Sequence, residues 1–270
     1  MPQFLAAALL LSAGTLLAQS SQPSATVISY HQVEASGVPR QKTVPRPGAA
    51  DVSSEETRFT ISHDNFVSQI DYLQQNGYQV IPLSDLIDYI KGRKDSLPSK
   101  AVVITVDDGW RSAYTEIFPI LQQREMPFTL FVYPQVIGNA DGYVTWPQVT
   151  EMADRGVDIE DHTFTHSFLT LGDRDDVKSD DYARFLAHEL LDSKLEIEKH
   201  TGKPVRFIAY PYSTYDAAVE QAVQRYGYEA ALYDRDQAGC ISRSTSPMHV
   251  KRFPVLHDTT VEQFKKFLLP

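Results

Sequence analysis

The stretch AVVITVDDG, residues 101–109, decides the reading of this chain. Ala101 to Val106 is a continuous apolar run rich in β-branched side chains, with no alternation of polar residues. Such a run suits a strand buried on both faces. It stops at two carboxylates and a glycine, Asp107, Asp108 and Gly109, and Asp-Gly is a common turn pair. Neighbouring side chains at a strand end point in different directions. One acid can therefore bind a metal while the other stays free as a base. Taken alone, the pair also reads as plain turn acids.

Working outward, strands and helices alternate. Thr26 to Tyr30 is expected as a strand, and residues 34–56 as a long surface loop rich in Pro, Gly and Ser. Ser62 caps a helix whose stripe is Phe66, Ile70 and Leu73, stopped by Gly77. A short strand at Val80 and Ile81 and a helix from Leu83 to Ile90 follow. After the strand Ala101–Val106 come a helix from Tyr114 to Arg124 and a strand from Phe128 to Val132. A helix from Trp146 to Arg155 then leads to a strand from Val157 to Glu160. One long helix is expected from Tyr182 to His200, with Glu189 among its stripe residues. The pattern closes with strands at Phe207–Tyr210, Glu229–Tyr233 and Val250–Leu256 and helices at Ala217–Tyr226 and Val261–Leu268. Seven or eight such β/α units in one chain imply an α/β barrel of parallel strands. In barrels of this kind functional groups collect at the C-terminal ends of strands. Asp107, Asp108, His162, Tyr210 and His257 all follow an expected strand, and His31 follows the first one, where it lines the rim or packs into the core.

The segment HTFTH, residues 162–166, adds two imidazoles at a four-residue spacing. Asp plus two His makes a three-ligand site with a position left for water. Such a site supports metal-assisted hydrolysis. Two nitrogens and one oxygen suit one divalent ion, Zn²⁺ first, with Co²⁺ or Ni²⁺ also compatible. Trp146, Tyr133, Tyr210 and Tyr215 carry rings that can stack on a bound ligand or pack in the core. The acidic run from Asp173 to Asp181 lacks the Gly and terminal Glu of a calcium loop and reads as solvated. No Gly-x-Ser-x-Gly and no phosphate-binding glycine loop is present. The net charge of −10, with no basic stripe, argues against a nucleic-acid partner.

Phe4 to Ala18 is apolar and uncharged, and Ala18-Gln19-Ser20 offers a small-x-small cleavage site. Residues 1–20 are read as a signal peptide and 21–270 as one domain, placed outside the cytoplasm, periplasmic or secreted. No later segment approaches a membrane span. Cys240 is the only cysteine, so no internal disulfide forms.

Several of these segments together resemble the polysaccharide deacetylase family, carbohydrate esterase family 4. They are VITVDDGW (residues 103–110), FPIL (118–121), FTLF (128–131), GVDIEDHTFTH (156–166) and FIAYPY (207–212). The likeness runs from about Thr26 to the C-terminus. The opening ISYH (28–31) and the Tyr-Pro-Tyr motif resemble the branch acting on exported poly-N-acetylglucosamine. The resemblance implies a distorted barrel of about seven strands, with Asp107 as catalytic base and Asp108, His162 and His166 as metal ligands. It implies that Tyr212 offers its backbone N–H to the oxyanion and that the substrate is an N-acetylglucosamine polysaccharide: poly-N-acetylglucosamine, peptidoglycan or a chitin-like polymer. Trp146 and Tyr210 are the substrate-binding candidates. Two departures stand out. Where many members carry an Arg that pairs with the base, this chain has Ala209, leaving Arg206 or another residue to substitute. Where many carry a late Leu-x-His, Leu256 and His257 are adjacent, so His257 is either the general acid or a loop residue. An O-acetyl esterase acting on xylan would use the same site, and a carbohydrate-binding protein with a vestigial site is the rival of another class.

Overall fold

The computed structural model describes residues 23–34, 58–235 and 239–268. The signal-peptide reading of residues 1–20 and nearly all of the expected loop 34–56 lie outside them. The strands are β1 (Ser24–Tyr30), β2 (Gln32–Glu34), β3 (Thr60–Ser62), β4 (Gln79–Val80), β5 (Ala101–Val106), β6 (Thr129–Val132), β7 (Asp158–Asp161), β8 (Phe207–Ala209), β9 (Ala230–Asp234), β10 (Ile241–Ser242) and β11 (Val250–Pro254). Seven of them close on themselves. Parallel pairing runs β1–β5–β6–β7–β8–β9–β11 and back to β1. β4 extends the lower edge of β5, and β10 pairs antiparallel with the start of β1.

The strand period of two sorts the core. Val27, Val103, Phe131, Phe207, Ala230, Leu232 and Val250 point inward as one cluster, floored by Leu83, Leu86, Ile87 and Tyr89 of the helix Leu83–Ile90. The alternate residues Ile28, Ile104, Leu130, Ile159 and Ile208 pack outward against the helices. Continuing the inward parity up each strand turns apolar side chains into polar ones: Ser29 and His31, Thr105 and Asp107, His162, Asp234, Arg252. The barrel interior thus leads into a polar rim at the C-terminal strand ends.

β7 and β8 share a single register pair, Asp161 with Ile208. Below it the buried Glu160 carboxylate accepts the backbone N–H groups of Arg206 and Phe207, both at 2.7 Å, in place of ladder bonds. This satisfies donors that the splayed strands would otherwise bury unpaired.

The helices Leu83–Ile90, Trp146–Asp154 and His63–Gln75 occupy the expected segments, the last with Ser62 Oγ accepting from Asn65 N–H. The expected single helix from Tyr182 is interrupted: α-helical turns at Tyr182–Leu186 and Ser193–Thr201 flank a wider π turn, Ala187–Asp192. The small β2–β3 pair and β10 are too short, at two or three residues, to show a period in sequence. Among the described residues no helix is long and apolar enough to cross a membrane.

Candidate active site

The β5 strand delivers both aspartates. Asp107 keeps the inward parity, and its N–H donates to the Tyr30 carbonyl at 2.9 Å. Asp108 then takes a left-handed backbone (φ 74°), which swings its side chain away from Asp107. Gly109 is also at positive φ, and a Cβ there would meet Ile137 Cδ1 at 2.8 Å and Val132 Cγ1 at 3.3 Å. The turn needs a glycine for both reasons. Of the seven non-glycine residues at positive φ among those described, five stand at this rim: Asp108, Thr163, His166, Tyr212 and Ser213. Backbone strain is thus concentrated where the chemistry-bearing side chains sit.

Asp108, His162 and His166 converge and are buried. Asp108 Oδ1 lies 3.3 Å from His166 Nε2 and 3.6 Å from His162 Nε2. Each residue offers one ligand atom, and the three atoms lie within 4.8 Å of one another. Trp110 Nε1–H donates to the other carboxylate oxygen, Oδ2, at 3.0 Å and fixes its orientation. The Trp110 ring is held in turn by a stack on Tyr143 at 4.4 Å. His162 Nδ1–H donates to the Ala209 carbonyl at 2.7 Å, which leaves Nε2 with the lone pair facing Asp108. Burial pushes the His162 imidazole down in pKa, against the pull of Asp107 and Asp108, and so favours the neutral, ligating form. Two imidazole nitrogens and one carboxylate oxygen, with His162 and Asp108 each oriented by a second group, fit a divalent transition metal.

Asp107 is the second centre. Arg252 from β11 grips it with both guanidinium arms, Nη1 to Oδ1 at 2.8 Å and Nη2 to Oδ2 at 2.7 Å. Arg252 Nη1 also donates to Thr105 Oγ1, and Nε donates to Asp234 Oδ1 at 2.9 Å, which accepts from Ser29 Oγ as well. Burial alone would raise the Asp107 carboxyl. The charge and the two hydrogen bonds of Arg252 outweigh it and hold the group below the usual carboxylate range. Asp107 Oδ2 stands between two imidazoles, with His162 Nε2 at 3.9 Å and His31 Nε2 at 3.8 Å. His31 is half-buried under a stack on Phe59 and forms a second acid–imidazole group with Asp107 and Asp234.

The remaining sequence candidates separate. The Tyr212 ring meets His166 edge-on at 4.8 Å, which sets its side chain beside the acid–imidazole group. Phe168 stacks on Tyr212 at 4.0 Å and is 37% exposed, so a ring open to solvent stands next to the site. Tyr210 is buried and stacks on Tyr215, leaving no face for a sugar. Trp146 lies flat on His200 at 4.0 Å, beside a shallow pocket with Thr150 and Asp154, and joins neither acid. His257 is exposed; its Nδ1 bonds the Thr60 carbonyl and its N–H the Arg58 carbonyl. Arg206, the sequence substitute for the missing base partner, pairs with Glu229 at 2.7 Å at the opposite, N-terminal end of β9. The arginine that pairs with Asp107 is Arg252.

Comparison with known proteins bears on the family and the fold. A family model described as polysaccharide deacetylase matches residues 94–231. A poly-beta-1,6-N-acetyl-D-glucosamine N-deacetylase of Escherichia coli K12 is 28% identical over 57% of this chain and 23% of its own. One of Staphylococcus epidermidis is 25% identical over 69% of this chain and 65% of its own. The chain therefore spans less than two thirds of these curated relatives. Among solved structures, IcaB from Ammonifex degensii superposes with a TM-score of 0.71 at 25% identity, covering 91% of this chain and 97% of that one. The Streptococcus pyogenes deacetylase PplD gives 0.72 at 20% identity, over 93% and 100%, and shares the barrel fold.

Proposed function

The chain belongs to the polysaccharide deacetylase family, and from that premise we propose that it is a metal-dependent de-N-acetylase of N-acetylglucosamine-containing polysaccharide. The observation that carries the reading is the placement of Asp107 Oδ2 between His162 and His31, 3.9 and 3.8 Å away, beside the Asp108–His162–His166 group. One divalent ion, Zn²⁺ by the donor set, would be held by Asp108, His162 and His166 and would supply Lewis-acid polarisation of the acetamide carbonyl.

The chain's own groups do the proton work. Asp107, kept ionised and aimed by Arg252, accepts a proton from the attacking water. The Tyr212 backbone N–H donates to the developing oxyanion. His31, with Nε2 directed at the Asp107 side of the site, gives a proton to the leaving amine. His31 takes this role ahead of His257, whose bonds run to Arg58 and Thr60 carbonyls. Water and the amide yield acetate and a free glucosamine amine. Phe168 presents its ring to a neighbouring sugar of the polymer. With the export reading of residues 1–20, the reaction lies outside the cytoplasm, which N-terminal sequencing of exported material tests.

Acetate release from β-1,6-linked and β-1,4-linked N-acetylglucosamine oligomers, peptidoglycan and acetylxylan tests the assignment. Release from an N-acetylglucosamine oligomer above that from acetylxylan is expected. Release from acetylxylan alone would move the reading to an O-acetyl esterase. Binding to oligomers without any release would make the site vestigial.

A further inference from the structure

The two histidines of the metal group end a five-residue loop, 162–166, in which Thr163 and His166 both hold left-handed backbone at φ 64° and 56°. The loop is buried at both ends, so each of its N–H groups needs an acceptor. His162 N–H donates to the Val132 carbonyl at 2.9 Å. His166 N–H donates to Thr163 Oγ1 at 3.1 Å. The two residues midway, Phe164 and Thr165, are held by one residue from elsewhere, Thr165 through that residue's side chain. Glu189 accepts Phe164 N–H at its backbone carbonyl (3.0 Å), Thr165 N–H at Oε2 (3.0 Å) and the Thr165 hydroxyl at Oε1 (2.6 Å).

Glu189 is 1% exposed and lies within the π turn Ala187–Asp192 that interrupts the helix. A π turn holds one residue more than an α turn and displaces the backbone from the regular ladder. Here the displaced residue is the one that reaches the loop. Next to it, Ser193 Oγ–H donates to Asp161 Oδ1 at 2.6 Å, so the same stretch of helix also holds the residue before His162.

We infer that Glu189 is a positioning residue for the metal site. It touches no ligand atom. By tying down Thr165 it keeps the strained loop in the one shape that turns both Nε2 atoms toward Asp108. A loop released from Glu189 would relax its positive-φ residues and separate the two imidazoles.

The inference rests on Asp108, His162 and His166 being the metal ligands, and the experiment tells the two apart. Zn²⁺ affinity of the full chain is measured by competition with a chelating dye for the wild type, His166→Ala, Thr165→Val and Glu189→Gln. The thermal midpoint of each metal-stripped protein is measured alongside. Thr165→Val and Glu189→Gln are expected to weaken Zn²⁺ binding by about 10–100-fold. Excess metal should restore turnover with the substrate KM unchanged. Combining the two substitutions should cost less than the sum of the two, because both act on the shared Thr165–Glu189 contact. A role confined to stability would lower the stripped midpoints and leave Zn²⁺ affinity of the folded protein at the wild-type value. That result, beside a His166→Ala variant that no longer binds, would overturn the inference and spare the metal site. A His166→Ala variant that binds Zn²⁺ as the wild type does would overturn the ligand assignment instead. Should Glu189→Gln not fold, Thr165→Val decides, since it leaves Glu189 in place.

Discussion

Replacing Arg252 by Met removes the base's partner while keeping an unbranched side chain of similar reach. Arg252 is 1% exposed and donates to both oxygens of Asp107, at 2.8 and 2.7 Å, and to Asp234 at 2.9 Å. The substitution leaves Asp107, itself 1% exposed, as a buried acid without its counter-charge. Breaking one side of a buried pair costs about 3–5 kcal/mol. At roughly 2–4 °C per kcal/mol for a domain of this size, the thermal midpoint should fall by about 6–20 °C. Turnover should fall by about 10²-fold or more, because a misplaced base costs that much even when present. Metal content should stay near that of the wild type, since Asp108, His162 and His166 are untouched. Arg252→Lys keeps the charge but not the two-armed geometry and should fall between the two. Thermal unfolding, acetate release and metal analysis of the same preparations check the argument. A variant with the wild-type midpoint and wild-type turnover would refute it.

Other substitutions divide the remaining roles. Asp107→Asn should keep the metal and lose about 10²–10⁴-fold in turnover, whereas Asp108→Asn should bind metal weakly and regain some turnover in excess metal; the reverse pattern would exchange the two roles. His31→Gln should lower turnover by about 10²-fold or more and His257→Gln should not, as pH–rate profiles of both will show. Glu229 accepts hydrogen bonds from Arg206, Lys91 and Arg93, which hold its carboxyl below its usual value of 4.5. A carboxyl lowered by folding stabilises above its unfolded value and loses that contribution as pH falls. Glu229→Gln should therefore cost about 1 kcal/mol at neutral pH, discounted for its partly exposed partners, with the gap closing below about pH 4.5; a gap independent of pH would count against the cluster.

Much of the barrel was readable because burial on both faces leaves apolar runs such as Ala101–Val106, and because Ser62 and Gly77 mark helix ends. The convergence of Asp108, His162 and His166 was readable because they are close in sequence or end a strand. Arg252 was not, since it lies 145 residues from Asp107 and no local pattern links them. Its trace was a charge at an inward position, sharing the parity of Val250 while the exposed Lys251 takes the other face. His31 carried the same trace, extending the parity of Val27 and Ser29. Glu189 was visible as a charge on the apolar stripe of a helix. The π turn that makes use of it was not, because one extra residue in a turn leaves the hydrophobic period nearly intact. Tyr210 and Trp146 show the opposite case: aromatic rings suit sugars and cores equally, and only their neighbours decide.

The central claim is that the acid–imidazole group performs metal-dependent deacetylation, and it is tested most directly by acetate release from a β-1,6-linked N-acetylglucosamine oligomer after the protein is stripped of metal and then titrated with Zn²⁺. The account predicts no release from the stripped protein and recovery that saturates at one equivalent of Zn²⁺ per chain. Full release from protein shown to be free of metal would contradict it.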